Sequence, residues 1–253
     1  MTPSEAGGPD RPSSSSGTGG TGGPRAFQID VVVLAGGTGR RLGGASKPDV
    51  VVRGARLLDH VLGGLDSLRG SLPLGRVVVV APDSVALPDG VLRALEDPPL
   101  GGPVAGVAAG LDALAAAPGG PAPLTALLTC DAPESWRALP GLTAALGAAA
   151  GHDRTEAVDA AARVGRADGA GRPDGTVAVA GSGADRHVQY LLGLYRTASL
   201  RRAVAPRGEP LRDVSVRRTV GALKVLEVER TEEDARDLDT WDEVHRWELS
   251  GDQ

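Results

Sequence analysis

Three short runs along the chain are apolar almost throughout: 29–35 (IDVVVLA), 76–81 (RVVVVA) and 124–130 (LTALLTC). Continuous β-branched runs without in–out alternation predict strands buried on both faces, as in a parallel sheet. Between them the period changes. Residues 57–68 place Leu58, Val61, Leu62 and Leu65 on one helical face, and 104–117 is alanine-rich with Val and Leu at helical spacing. Further strands are expected at 176–180, 188–196 and 223–229. A last helix near 240–249 is expected to turn Trp241, Val244 and Trp247 toward the core. Strand–helix alternation of this kind predicts an α/β fold in three layers, a mostly parallel Rossmann-like sheet with helices on both faces. No internal repeat is visible.

Two segments break the pattern. Nineteen of the first 25 residues are Gly, Ser, Thr or Pro. Such a stretch cannot bury enough apolar surface to offset the entropy of ordering, so 1–25 reads as a disordered tail. Residues 151–175 carry nine charges and no Leu, Ile or aromatic side chain, and read as a polar surface insertion.

Composition narrows the classes that remain. A formal net charge of −5 argues against a dedicated nucleic-acid binder. A single cysteine, Cys130, leaves no internal disulfide, which fits a reducing cytoplasm. No apolar run approaches the ~20 residues of a membrane span. Only two lysines, Lys47 and Lys224, stand among 27 basic residues, and asparagine is absent. A lysine that survives such a bias toward arginine invites attention.

Lys47 closes the most distinctive stretch, Leu34–Lys47 (LAGGTGRRLGGASK). A glycine-rich turn leaving a buried strand lets backbone N–H groups approach phosphates. It fits neither the dinucleotide fingerprint, since Leu42 stands where the third Gly belongs, nor the Walker loop, since Ser46 precedes Lys47 and Pro48 follows it. Leu34, Ala35, Gly36, Gly37, Arg41, Leu42, Gly43, Gly44 and Lys47 instead match the signature L-A-G-G-x-x-x-R-M/L-G-G-x-D-K. In this the chain resembles the MobA-like nucleotidyltransferases, of molybdenum cofactor guanylyltransferase type. It departs at Ser46, commonly Asp in that family, and at Pro48, often Gly.

The resemblance implies a nucleotide-diphospho-sugar transferase-like domain over 26–250. It implies a loop formed by Leu34, Ala35, Gly36, Gly37, Thr38 and Gly39 around an NTP triphosphate, with Arg41 and Lys47 neutralising the phosphates. Those residue types suit the task, because Arg forks across two oxygens and Lys supplies a compact charge. The family's C-D-x-P element corresponds to TCDAP, so Asp131 is implied as ligand of a catalytic Mg²⁺, with helix capping as the alternative. Its carboxyl-terminal N/D-x-N/D-T-P-E-D element corresponds to DLDTWD. That implies Asp239 as a second ligand, with capping by Asp239 or Thr240 as the alternative, and Trp241 in place of Pro. An acid ahead of GPVAG is implied to read the base. Asp97 is the first candidate and Glu96 the second, an exposed turn acid being the alternative. Cys130 reads as a buried apolar residue, and Tyr195 and Arg196 as packing residues.

The activity implied is Mg²⁺-dependent transfer of NMP from an NTP to a phosphorylated acceptor with release of pyrophosphate. GTP and molybdopterin are favoured as substrates, with molybdoenzymes or other cofactor-biosynthesis proteins as protein contacts. CTP, a sugar phosphate or phospholactate as substrate is the near alternative. A nucleotide-binding protein without turnover is the distant one.

Overall fold

A computed structural model of the protein describes residues 27–36, 43–97, 99–150, 172–205, 211–230 and 236–250. In chain order these form β1 (Ile29–Leu34), the short pair β2 (Val51–Val52) and β3 (Ala55–Arg56), α1 (Leu57–Leu68), β4 (Leu74–Val80), β5 (Leu92–Ala94), α2 (Pro103–Ala116), β6 (Leu124–Thr129) and α3 (Leu139–Ala150). They continue through β7 (Gly175–Ala180), β8 (His187–Arg196), α4 (Thr197–Val204), α5 (Val216–Thr219), β9 (Val225–Glu229) and α6 (Trp241–Leu249). Among the described residues no helix is long and apolar enough to cross a membrane.

The apolar runs become the centre of a seven-stranded sheet ordered β5-β4-β1-β6-β8-β7-β9. The pairs β5–β4, β4–β1, β1–β6 and β7–β9 are parallel, and β8 runs against both its neighbours. Successive side chains of β1 feed opposite layers. Val31 and Val33 pack with Leu58, Val61 and Leu65 of α1 and with Leu139, Leu142 and Leu146 of α3. Val32 packs with Val104, Val107, Leu111 and Leu114 of α2 and with Leu200 and Val204 of α4. Both faces are therefore covered, which is why the strands show no alternation. The one charge inside the first run has partners. Asp30 is buried and accepts the Arg76 N–H at 2.8 Å and the Ala122 N–H at 2.7 Å.

A third, smaller cluster joins α6 to the β2–β3 pair through Val50, Val52, Leu57, Leu238, Val244 and Trp247. Here one expectation is corrected. Val244 and Trp247 are buried, but Trp241 is 44% exposed. The packed stripe of α6 begins one turn further on, and the Trp241 ring lies on the outside beside His245, with centroids 6.2 Å apart. The β2–β3 pair, β5, α3 and α4 were not foreseen. The 1–25 tail and residues 151–171 of the expected insertion lie outside the described residues. The insertion's last two residues belong to the fold. Asp174 accepts the Ser199 hydroxyl at 2.6 Å and the Lys224 N–H at 3.0 Å, and Gly175 opens β7.

Candidate active site

Parallel β4, β1 and β6 end on the same edge of the sheet, and a cleft of about 330 Å³ opens there. Leu34, Gly36, Val80, Thr129, Cys130 and Asp131 come from or just after the strand ends. Glu96, Leu100 and Gly102 come from the loop into α2, Pro103 and Gly106 from the first turn of α2, and Leu191 from β8. Ligands in open α/β sheets sit beyond the carboxyl ends of the strands, as this cleft does. Gly102 caps α2 at φ +91°, a backbone conformation costly for any residue with a Cβ, and Pro103 fills the first helical position.

Beside the cleft three charged groups meet. Gly43 and Gly44, at φ +69° and +86°, turn the chain out of the glycine loop. A single 3₁₀ turn, Lys47–Asp49, follows, with Pro48 buried beneath it. Its far end is held by the Arg56 guanidinium, which bonds Asp49 at 3.1 Å and forks onto Asp59 at 2.7 and 2.8 Å. From this base the Lys47 ammonium donates to Asp131 Oδ2 at 3.0 Å and also to Asp239 Oδ1. Burial acts to lower the Lys47 pKa, but the hydrogen bonds and charges of Asp239 and Asp131 outweigh it. The group is held above its ordinary value and stays an ammonium.

The two carboxylates are brought together by separate devices. Asp131 follows β6 and caps no helix, since the next helical turn begins at Ser135 behind Glu134. Its carbonyl accepts the Leu238 N–H at 2.7 Å, pinning the 236–240 segment across the site. Asp239 stands two residues before α6. Thr240 is the cap there: its hydroxyl accepts from the Glu243 N–H. The Glu243 carboxylate in turn receives the Asp239 N–H at 2.9 Å and the Thr240 N–H at 2.8 Å. The capping alternative thus holds for Thr240, while Asp239 faces the cluster.

Among the expected base readers the cleft contains Glu96 and not Asp97. Glu96 is 9% exposed and its Oε1 accepts the Leu100 N–H at 3.1 Å, whereas Asp97 is exposed. Leu34 and Gly36 line the cleft. Ala35 lies buried beneath it, its N–H on the Val80 carbonyl at 3.0 Å. Gly37, Thr38, Gly39 and Arg41 lie outside the described residues. Cys130 is buried, and burial raises its thiol pKa well above the ordinary value, which leaves it without nucleophilic character.

Asp237 is a neighbour the sequence reading did not single out. Surrounding protein, then the charges of Asp131 and Asp239, push its carboxyl above the usual range, with Lys47 and His187 opposing. Because the side chain keeps an exposed face, the like-charge repulsion is the cause that stands. The D-x-D spacing was the signal that could have found it.

Does this cluster fit a divalent cation? Two carboxylates already converge on one positive charge, the Lys47 ammonium, at the edge of an open cleft. Among the described residues no group of three or more His, Cys, Asp or Glu side chains could hold a metal ion. That donor set suits Mg²⁺, which binds through one or two carboxylates and fills its remaining positions with water and phosphate oxygens.

Strand order, covered faces and a cleft at the strand ends define a nucleotide-diphospho-sugar transferase-like α/β fold. The fold is similar to that of a homologue of Mycobacterium tuberculosis Rv0371c from Mycobacterium sp. strain JC1 (20% identity, TM-score 0.57, covering 88% of this chain and 96% of that one). It is likewise similar to molybdopterin-guanine dinucleotide biosynthesis protein A from Archaeoglobus fulgidus (19% identity, TM-score 0.52, covering 88% and 98%). At these identities the likeness concerns fold alone. Residues 31–240 match the MobA-like NTP transferase domain, and the chain belongs to that family. Over 135 residues it is 37% identical to a molybdenum cofactor guanylyltransferase of Acidiphilium cryptum. The match spans 52% of this chain and 65% of that protein, just under two thirds of its length.

Proposed function

We propose that the protein is a Mg²⁺-dependent nucleotidyltransferase that moves GMP from GTP to molybdopterin, releasing pyrophosphate. The observation that carries this reading is the meeting of Lys47, Asp131 and Asp239 at the mouth of the cleft. Family membership and the guanylyltransferase relative support the choice of reaction and substrates.

In this reading the base enters the cleft between Leu34, Val80 and Leu100, whose apolar walls exclude water from its faces. Glu96 spends one oxygen on the Leu100 N–H, which fixes the carboxylate, and its other oxygen accepts from guanine N–H groups. Gly36 lines the cleft directly after β1, where its lack of a side chain leaves room for the phosphates, and Lys47 neutralises them together with Arg41. Asp131 and Asp239 would hold Mg²⁺, which when bound clamps the charge on the phosphate oxygens. An acceptor phosphate oxygen attacks the α-phosphorus in line, a P–O bond to it forms, and the bond to the β-phosphate oxygen breaks. The chain's part is to position and neutralise, with no covalent enzyme intermediate.

The test is pyrophosphate release with each of the four NTPs, Mg²⁺ and molybdopterin. GTP is expected to lead. Release with CTP alone would move the assignment to a cytidylyltransferase. NTP binding without release, with molybdopterin and with a panel of sugar phosphates and phospholactate, would leave only a nucleotide-binding protein.

A further inference from the structure

Lys47 lies on the two carboxylates themselves, and its place among the phosphates in the proposed reaction lies elsewhere. Its ammonium is within hydrogen-bond distance of Asp131 and Asp239 at once, and all three side chains are part-buried. The ammonium takes one oxygen of each carboxylate and lies between them, where a divalent cation bridging both at metal–oxygen distances of ~2.1 Å would also be drawn. The two cations would also repel each other across a partly dehydrated site.

We infer that Lys47 is the resident counter-ion of the metal site, so that a divalent cation and the Lys47 ammonium exclude each other from Asp131 and Asp239. The inference rests on reading those two residues as metal ligands. Its consequence is an order of events. Without nucleotide the carboxylates are already neutralised and the protein has low affinity for the free metal ion. An arriving nucleotide triphosphate offers Lys47 a new anionic partner in the phosphates. The ammonium leaves the carboxylates as the metal, carried by the same phosphates, takes its place. One side chain then couples nucleotide binding to metal binding, a positioning role separate from its charge on the phosphates. Lysine suits such an exchange better than arginine. Its single compact ammonium on a flexible stem can swing between two anionic sites, whereas a planar fork on two carboxylates is held by more bonds.

The test needs no turnover. Mn²⁺ is titrated into the full chain without nucleotide, and free Mn²⁺ is followed by its paramagnetic resonance signal. Lys47→Met is expected to bind Mn²⁺ at least tenfold more tightly than wild type. Adding Asp131→Asn to that variant should abolish the gain. Equal or weaker binding by Lys47→Met would overturn the inference, and so would a gain that survives Asp131→Asn.

A second arm uses the unaltered protein and covers the case in which Lys47→Met fails to fold. With two lysines in the chain, amine acylation read by mass spectrometry reports on Lys47 with Lys224 as internal reference. Bound Mn²⁺ should raise labelling at Lys47 severalfold relative to Lys224, because the freed ammonium loses both carboxylates and reaches solvent. An unchanged ratio when Mn²⁺ is bound would overturn the inference. Pyrophosphate release from GTP alongside that result would leave the proposed reaction standing and remove only the exchange.

Discussion

Asp131 and Glu96 line one cleft, and the proposed reaction gives them different work that single-atom changes separate. Asp131→Asn keeps the shape and removes the charge. Turnover is expected to fall by ~100-fold or more, on the scale of losing one preorganised electrostatic partner, with an unchanged circular dichroism spectrum. A rate within a few-fold of wild type would remove Asp131 from the site. Glu96→Gln retains an oxygen for the Leu100 N–H but turns the other acceptor into a donor. The KM for GTP is expected to rise about tenfold or more, the equivalent of ~1.4 kcal/mol, while weak use of other NTPs changes little. Lys47 stood out in the sequence because its motif and its rarity pointed the same way, and the structure sets it against Asp131 and Asp239. The choice between Glu96 and Asp97 was not legible in the sequence, because adjacent acids point to opposite sides of an irregular loop. Which one faces inward is decided by the Leu100 N–H and the start of α2, neither of which has a sequence spacing of its own.

Elements show where local preference yields to packing. Gly110 lies in α2, where alanine would be the better helix former by about 1 kcal/mol. A Cβ at that position would stand 2.6 and 3.0 Å from the two methyls of Val32, a fully buried residue of the central strand β1. Gly110→Ala is therefore expected to destabilise by about 1–3 kcal/mol in denaturant unfolding, as overpacked cores do. A gain in stability would show that α2 can shift outward.

The start of α6 carries a pH signature. Glu243 is raised by partial burial but lowered more by hydrogen bonds from the Thr240 hydroxyl and the Asp239 and Thr240 N–H groups, so its folded pKa lies below the ordinary 4.5. Its contribution is present above pH ~4.5 and is lost as pH falls through the lower folded value. The Tm gap between wild type and Glu243→Gln is expected at neutral pH and should close in acid below 4.5. A gap independent of pH would assign the effect to shape alone. The helix itself was legible from Thr240 onward. The β2–β3 pair it packs against was not, since two-residue strands have no period to detect.

Across the whole molecule, the three-layer sheet could be read because its central strands are buried on both faces and carry that fact as unbroken Val and Leu runs. The reversal of β8 could not, because an antiparallel strand inside a covered sheet has the same composition as a parallel one. Trp247 shows how distant parts were tied together. Its ring packs edge-on to His60 of α1 at 5.0 Å and under the Arg53 guanidinium at 4.0 Å, and its N–H donates to Glu134 at 3.1 Å. Trp247→Ala should cost about 3–5 kcal/mol by chemical denaturation. It should also lower turnover more than that loss explains at temperatures where the variant stays folded, since α6 anchors the segment that holds Asp239 beside the cleft. Full activity in the folded variant would show that the 236–240 segment holds its place without the helix.

The crossing of that segment over the strand ends bears on how the protein is made. Lys47 and Asp131 are 84 residues apart, whereas Lys47 and Asp239 are 192 apart. All seven strands of the sheet precede Asp239. A chain emerging from the ribosome can form the β5-β4-β1-β6 part of the sheet, and bring Lys47 to its first carboxylate, while the second has yet to be synthesised. Closing so long a loop costs only slightly more entropy than closing the shorter one. Order of synthesis, more than free energy, therefore sets when the Lys47–Asp239 contact can form, long after the chain can bring Lys47 to Asp131.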